Sequence, residues 1–158
     1  MRTKPVLAVV QVSLMLAAGV ALGGCGGGSS STHSRRARGS ASIRTYHLTL
    51  SGAAETPAGA THGSGAAVIA LHLSSRQVCY RFAHLRGFTG ATFAHIHKGA
   101  SGMAGNIVLP LSTATKLHHR GCVAASASLI SAIQADPSGY YVNIHSVSYP
   151  AGAVRAQL

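Results

Sequence analysis

Acidic residues are almost missing from this sequence. Only Glu55 and Asp136 carry carboxylates among 158 residues, against thirteen Lys and Arg, so the formal net charge is +11. Two-carboxylate glycosidases, aspartic proteases, and calcium or magnesium sites built from carboxylates all depend on paired or clustered acids, which are scarce here. These classes are therefore disfavoured. Ten histidines, in contrast, supply neutral nitrogen ligands, so any chemistry of this chain should be imidazole chemistry.

Other common signatures are also missing. The length suits one modest hydrophobic core, which disfavours an enzyme with a separate cofactor domain. The sequence has no Gly-x-Ser-x-Gly elbow, and its glycine-rich segments lack the lysine of a phosphate-binding loop. Tryptophan is absent, and the few aromatics form no stacking run interleaved with arginines, so a nucleic acid partner is not expected.

One long hydrophobic run is present, and it lies at the N-terminus. Arg2 and Lys4 precede an apolar stretch at residues 6–22, which is broken only by Gln11 and Ser13. A basic start, an apolar middle and a small-residue end are typical of an export signal. The sequence therefore predicts that most of the chain lies outside the cytoplasm.

The end of this run, Leu-Gly-Gly-Cys at residues 22–25, resembles the lipobox of bacterial lipoproteins. The resemblance implies cleavage before Cys25 and attachment of lipid to its sulfur, with residues 1–24 as the signal peptide. The alternative is a retained membrane anchor, because 17 mostly apolar residues approach the roughly 20 needed to span a bilayer. Either outcome makes the membrane a partner of this chain.

Residues 25–42 contain mostly Gly, Ser, Thr and Arg and predict a flexible tether. Arg35, Arg36 and Arg38 cluster there, and cleavage before Cys25 would leave eleven basic residues against two acids, a net charge of +9. Such a chain favours anionic partners, here lipid headgroups, anionic envelope polymers or another envelope protein. The alternative is that the charge serves solubility alone.

Two cysteines remain after Cys25, namely Cys79 and Cys122. An even number of thiols in an oxidising compartment predicts a disulfide, with two unrelated buried thiols as the alternative. The bridge would close a loop of about 44 residues and contribute roughly 3 to 4 kcal/mol on the chain-entropy estimate.

The remainder, residues 43–158, predicts a single antiparallel β-sandwich of the superoxide-dismutase-like or Greek-key type with one short helix. Short stretches rich in Val, Ile, Thr, Tyr and Phe alternate there with Gly, Pro and Ser. The predicted strands are 43–50, 65–73, 77–85, 91–97, 106–111, 121–125, 140–146 and 153–158. Leu129, Ile130 and Ile133 have helical spacing and predict a helix at Ala127–Ala135, which ends before Pro137.

Four motifs in this region resemble, in order, those of the CHRD domain, named after chordin. They are LSGAAETP at 50–57, AHIHKG at 94–99, YYVNIH at 140–145 and YPAGAVRAQL at 149–158. The departures from the usual pattern are mild: Ala156 replaces a glycine, and Ala58 follows Pro57 where a second proline is usual. The resemblance implies an all-β module that is common in exported bacterial proteins and has a poorly defined biochemical role.

Histidines in two of these motifs form a candidate metal site. Alternate residues of a strand share a face, so His95 and His97 project together. His145 lies in a later strand and shares its face with Tyr141 and Asn143. If the two strands are neighbours, three imidazoles converge, and three nitrogen ligands without sulfur suit copper or zinc. The alternative is a metal-free polar pocket of hydrogen-bonded histidines.

The pattern is similar to the copper side of Cu,Zn superoxide dismutases, which implies an accessory role for Arg155 near the C-terminus. A second metal is not expected, because residues 98–110 contain no His, Asp or Glu and the later pair His118 and His119 compensates only in part. Glu55 is interpreted as an internal ion-pair partner of an arginine such as Arg155, with solvent exposure as the alternative.

Two functions therefore compete. The first is a membrane-anchored lipoprotein that presents a non-catalytic CHRD binding module. The second is a copper-binding or redox protein of the same fold. The other histidines are scattered and are interpreted mostly as surface groups; they are His33, His47, His62, His72, His84, His118 and His119.

Overall fold

The computed structural model describes residues 43–158, which form eight antiparallel strands and one short α-helix. The predicted signal peptide (1–24) and tether (25–42) lie outside the described residues. The elements are β1 (Ile43–Ser51), β2 (Ser64–His72), β3 (Gln77–Arg86), β4 (Ala91–Lys98), β5 (Asn106–Ser112), β6 (Arg120–Ala124), α1 (Ala127–Ala135), β7 (Tyr140–Ser146) and β8 (Val154–Gln157). Single 3-10 turns lie at Gly52–Ala54 and Pro137–Gly139. The all-β prediction is confirmed, and the helix has the predicted bounds.

The strands form one sheet in the order β5-β4-β7-β8-β1-β2-β3-β6. The link between β8 and β1 is a single pair, Ser51 opposite Arg155, so the sheet divides there into two four-stranded halves. We call β5-β4-β7-β8 the site half and β1-β2-β3-β6 the disulfide half. The edge strands β5 and β6 also contact each other, so the sheet folds over into a sandwich that is nearly a barrel.

The hydrophobic core lies between the two halves. Alternate residues of β2 and β3, such as Ile69 and Tyr80, meet Ile96 and Val142 of the site half in one cluster. Helix α1 begins at Ser126, whose Oγ accepts from the Leu129 N–H at 3.1 Å, and it adds Ile130 and Ile133 to this core. Residues 43–158 thus contain a hydrophobic core of their own, which an independently folding domain needs.

The predicted disulfide is confirmed. Cys79 and Cys122 are bonded and stand directly opposite each other on β3 and β6. Their neighbours Val78 and Val123 are turned towards the core, so the bridge lies on the outer face of the disulfide half. It therefore joins an edge strand to the sheet without occupying core volume.

Candidate functional site

The three motif histidines lie on the outer face of the site half. Ala94 and Ile96 of β4 are fully buried in the core, so the alternating His95 and His97 are turned to the opposite side of the sheet. Strand β7 is the direct neighbour of β4, with His95 opposite Asn143. The two strands that carry the histidines are therefore neighbours, which the convergence of the three imidazoles requires.

The register brings the imidazoles together. His95 Nδ1 lies 3.1 Å from His145 Nε2. One nitrogen from each of His95, His97 and His145 can be chosen so that all three lie within 4.8 Å of one another. His97 is only 7 % exposed, whereas the other two histidines are partly exposed. A small ion can thus reach the cluster from the side of His95 and His145.

Backbone carbonyls determine which ring nitrogens carry protons. His97 Nδ1 lies 2.8 Å from the Gly105 carbonyl oxygen, and His145 Nδ1 lies 2.8 Å from that of Pro150. A carbonyl oxygen only accepts, so both Nδ1 atoms are donors and the neutral rings carry their lone pairs on Nε2. His145 Nε2 then accepts from His95 Nδ1. Anchoring of the second ring nitrogen by a carbonyl is typical of histidines that ligate metals.

The electrostatics of the cluster favour neutral rings. Burial, together with the neighbouring His145 and His97, lowers the pKa of His95 to about 4. Burial also lowers the pKa of His97, against the opposing effect of its hydrogen bonds to Gly105 and Asn143. Neutral imidazole is the form that binds a metal ion, so these two ligands need not lose a proton near neutral pH.

Asn143 competes for one of the lone pairs. Its Oδ1 lies 3.1 Å from His97 Nε2. This contact is satisfied by a proton on Nε2 or by a half-turn of the amide that presents Nδ2 instead. Asn143 therefore supports a metal-free hydrogen-bonded cluster, and it must give up this contact when an ion binds His97.

A loop at residues 99–105 covers the buried end of the site. Tyr141 stacks on His97 with 4.7 Å between ring centroids and an angle of 8° between planes. The Arg155 guanidinium carbon lies 3.4 Å from the Tyr141 ring centroid. Arg155 also donates to the carbonyl oxygens of Ala100 and Met103, each at 2.8 Å. Arg155, which lies on β8, thus ties the loop to the Tyr141 ring that stacks on His97.

Comparison with known families identifies the fold. The family model described as the CHRD domain matches residues 46–158. The chain belongs to the CHRD domain family. No curated protein and no solved structure matches it significantly. The family suggests a non-catalytic module of unspecified role. Over residues 43–158, no helix combines the length and the apolar character needed to cross a membrane.

Arg155 occupies a different place from the one that the dismutase resemblance implies. Instead of facing the imidazoles directly, its guanidinium stacks on Tyr141, the ring that itself stacks on His97. Its remaining hydrogen bond goes to Gln157 Oε1 at 3.0 Å. In this CHRD domain Arg155 is therefore a positioning residue.

Glu55 is buried, but it does not pair directly with Arg155. The carboxylate is 7 % exposed and its Oε1 has no hydrogen-bond partner, while the Arg155 hydrogen bonds go to the loop carbonyls and Gln157. Burial raises the pKa of Glu55 to about 7, and the charge of Arg155 opposes this increase. Glu55 and Arg155 thus interact through space and not through a direct ion pair. The alternative, that Glu55 is exposed to solvent, is wrong.

The second histidine pair lies apart from the site. His118 and His119 are exposed just before β6, and among residues 43–158 the only metal-suited cluster of three is His95, His97 and His145. The remaining acid, Asp136, accepts from Ser138 Oγ at 2.8 Å and from the Gly139 N–H at 3.2 Å. It stabilises the turn after α1, which leaves the site without a carboxylate ligand.

Sequence reasoning did not assign roles to several residues of the site. Strand parity put Tyr141 and Asn143 on the face of His145, but their contacts with His97 depend on the register of β4 against β7. Gln157 donates to the carbonyl oxygens of Gly99, Ser138 and Tyr140. No local pattern signals this role, although Gln157 lies in the C-terminal CHRD motif.

Proposed function

We propose that this chain is an extracytoplasmic, membrane-attached lipoprotein whose CHRD domain binds one copper ion without catalysing a reaction. The observation that carries the metal proposal is the pair of carbonyl-anchored histidines. Gly105 and Pro150 hold the Nδ1 atoms of His97 and His145, which leaves two Nε2 lone pairs beside His95. This is the arrangement expected of ligands that are prepared for an ion.

Copper fits the donor set better than the other common ions. Imidazole suits copper and zinc, and copper binds a given nitrogen site more tightly than zinc does. Calcium and magnesium need oxygen ligands, and the metal-suited cluster described in residues 43–158 consists of histidines alone. Three protein ligands leave a position for water or for a group from a partner.

Copper titration of residues 43–158 tests the proposal. We expect about one tightly bound ion per domain, with imidazole nitrogen couplings in the electron paramagnetic resonance spectrum. Changing His145→Gln should lower the affinity strongly. The matched control changes His118→Gln and His119→Gln, an exposed pair, and should leave the affinity unchanged. Equal binding by the wild type and by a variant without His95, His97 and His145 would refute the metal site.

The same experiment separates the proposal from the metal-free alternative. The His95–His145 hydrogen bond is satisfied without an ion, which is the feature that favours a polar pocket in a pure interaction module. In that case the histidine variants would change stability but not copper binding. Copper binding should weaken as the pH falls, because the ligands bind as neutral imidazoles, and the lowered pKa of His95, about 4, opposes protonation of that ligand.

Membrane attachment rests on the apolar run at residues 6–22 and on the Leu-Gly-Gly-Cys sequence that ends at Cys25. Cells fed a labelled fatty acid should incorporate label into the wild-type chain and not into the Cys25→Ser variant. The variant should also remain unprocessed or be cut elsewhere. A Ser29→Ala change in the tether serves as control. Undiminished label in Cys25→Ser would overturn this part of the proposal.

A further inference from the structure

The outer face of the disulfide half carries a row of four residues that includes two arginines. The strand registers place His47 opposite Val68, Val68 opposite Arg81, and Arg81 opposite Arg120. These four residues alternate with core residues such as Ile69, Tyr80 and Phe82, so they share the outward face. Both arginines are exposed. The row therefore crosses all four strands of this half.

Nothing in residues 43–158 neutralises the two arginines. Like charges directly opposite each other on neighbouring strands are destabilising. Glu55 is buried at the site half, and Asp136 is bonded within its own turn. The facing arginines therefore have no carboxylate partner in the described domain, and an external anion would relieve their repulsion.

The surroundings of the row suit a surface that is both anionic and partly apolar. A shallow groove of about 230 Å³ lies beside it and is lined by Ala66, Val68, Arg81, Ala83 and His84. Small side chains let a phosphate-bearing headgroup approach Arg81 closely. On the same face, at the start of β1, Ile43 is 56 % exposed. Ile43 lies four residues along β1 from His47, so it is at one end of this face and not beside the arginines. Apolar side chains that share a face with Lys or Arg are typical of amphipathic segments at a membrane interface.

We propose that this face, from Ile43 across the His47–Arg120 row, docks on anionic phospholipid headgroups of a membrane. It rests on the proposed function for the source of the bilayer. Strand β1 directly follows residues 26–42, which span at most about 60 Å when fully extended, so an anchor at Cys25 would keep the face near the headgroups.

Vesicle binding by residues 43–158 tests the docking face without the anchor. The probes are vesicles of phosphatidylcholine alone and of an equimolar mixture with phosphatidylglycerol. We expect binding to the anionic vesicles only, and weaker binding as salt rises. Changing Arg81→Gln and Arg120→Gln together should lower the partition coefficient on the order of 20-fold.

A charge-matched control separates the face from net charge. Arg44→Gln with Lys98→Gln removes the same charge at exposed positions, but Arg44 stands opposite core residue Leu71 and Lys98 lies on β4 in the other half. This control should change the partition by less than about twofold. Equal loss in both double variants would overturn the proposal, because general charge would then explain the binding.

Two further readouts make each outcome decisive. The Arg81/Arg120 double variant should melt at a higher temperature than the wild type at low salt, which also shows that it folds. Ile43→Ser should lower vesicle binding a few-fold. Unchanged vesicle binding in Ile43→Ser, together with equally tight binding of soluble polyphosphate, would indicate a polymer partner and overturn the membrane proposal. Copper titration of the double variant should match the wild type, so failure here is distinct from failure of the metal site.

Discussion

The outer face of the disulfide half is exposed, whereas the outer face of the site half is covered. In the disulfide half, β2 and β3 alternate between buried residues and residues that are exposed or partly exposed. In the site half, every residue of β7 except His145 is buried, because the 99–105 loop and neighbouring side chains cover the outer face as well. Burial of polar residues costs free energy unless they are paired, so a covered polar face points to a functional or positioning role.

Loss of the disulfide should give the largest decrease in stability, and it should leave copper binding by the site half unchanged. We expect Cys79→Ala with Cys122→Ala to lower the free energy of unfolding by about 3 to 4 kcal/mol, because the bridge spans 43 positions of sequence. Urea unfolding of residues 43–158 measures this loss. Copper affinity should not change, since the bridge lies on the far face. A parallel loss of copper affinity would show that the two halves are coupled.

Glu55→Gln tests the free-energy cost of burying an ionisable carboxyl group next to the site half. The folded-state pKa of about 7 lies above the ordinary value of 4.5, so the folded protein retains a proton that the unfolded chain releases between these values. Stability from protonated Glu55 is complete below about pH 4.5 and is lost as the pH rises through about 7.

The Gln variant keeps this stability at every pH. Its unfolding free energy should equal that of the wild type below about pH 4 and exceed it by about 3 kcal/mol well above pH 7, because one pKa unit corresponds to about 1.4 kcal/mol. Thermal or urea unfolding across this range gives the difference. Asp136→Asn, which changes the acid in the exposed turn, is the control and should not reproduce the trend. A difference in unfolding free energy between Glu55→Gln and wild type that is the same at all pH values would contradict the raised pKa of Glu55.

Arg155→Lys should have a smaller effect that is confined to the site half. Lysine keeps the charge but cannot stack as a plane on Tyr141 while donating to two loop carbonyls. We expect copper affinity to fall by about tenfold, the lower end of the range for groups that orient ligands. The copper resonance parameters should also change, whereas a purely structural role would alter stability alone. Arg81→Lys on the exposed face of the disulfide half is the matched control. An equal loss of copper affinity in this control would show that the effect is not specific to the site half.

Local patterns were sufficient for the secondary structure and for part of the site. Predicted and observed strand ends differ by no more than one residue, and the helix bounds agree, because hydrophobic periodicity and Gly or Pro punctuation act over a few residues. Strand parity placed His95 and His97 on one face. It did not reveal the bulges that interrupt the pairing of β4 with β5, since these arise from contacts between distant segments.

The amino-acid sequence by itself determined the strands, the helix, the cysteine pair and the imidazole chemistry of the candidate site, since each follows from residue chemistry at short range. Only the tertiary structure decided that His145 lies 3.1 Å from His95, that Arg155 bonds to the loop carbonyls, and that Glu55 is buried without a direct ion pair. These outcomes depend on β4, β7 and β8 being neighbours in one register. Register is a property of several strands packed together, and no single segment specifies it.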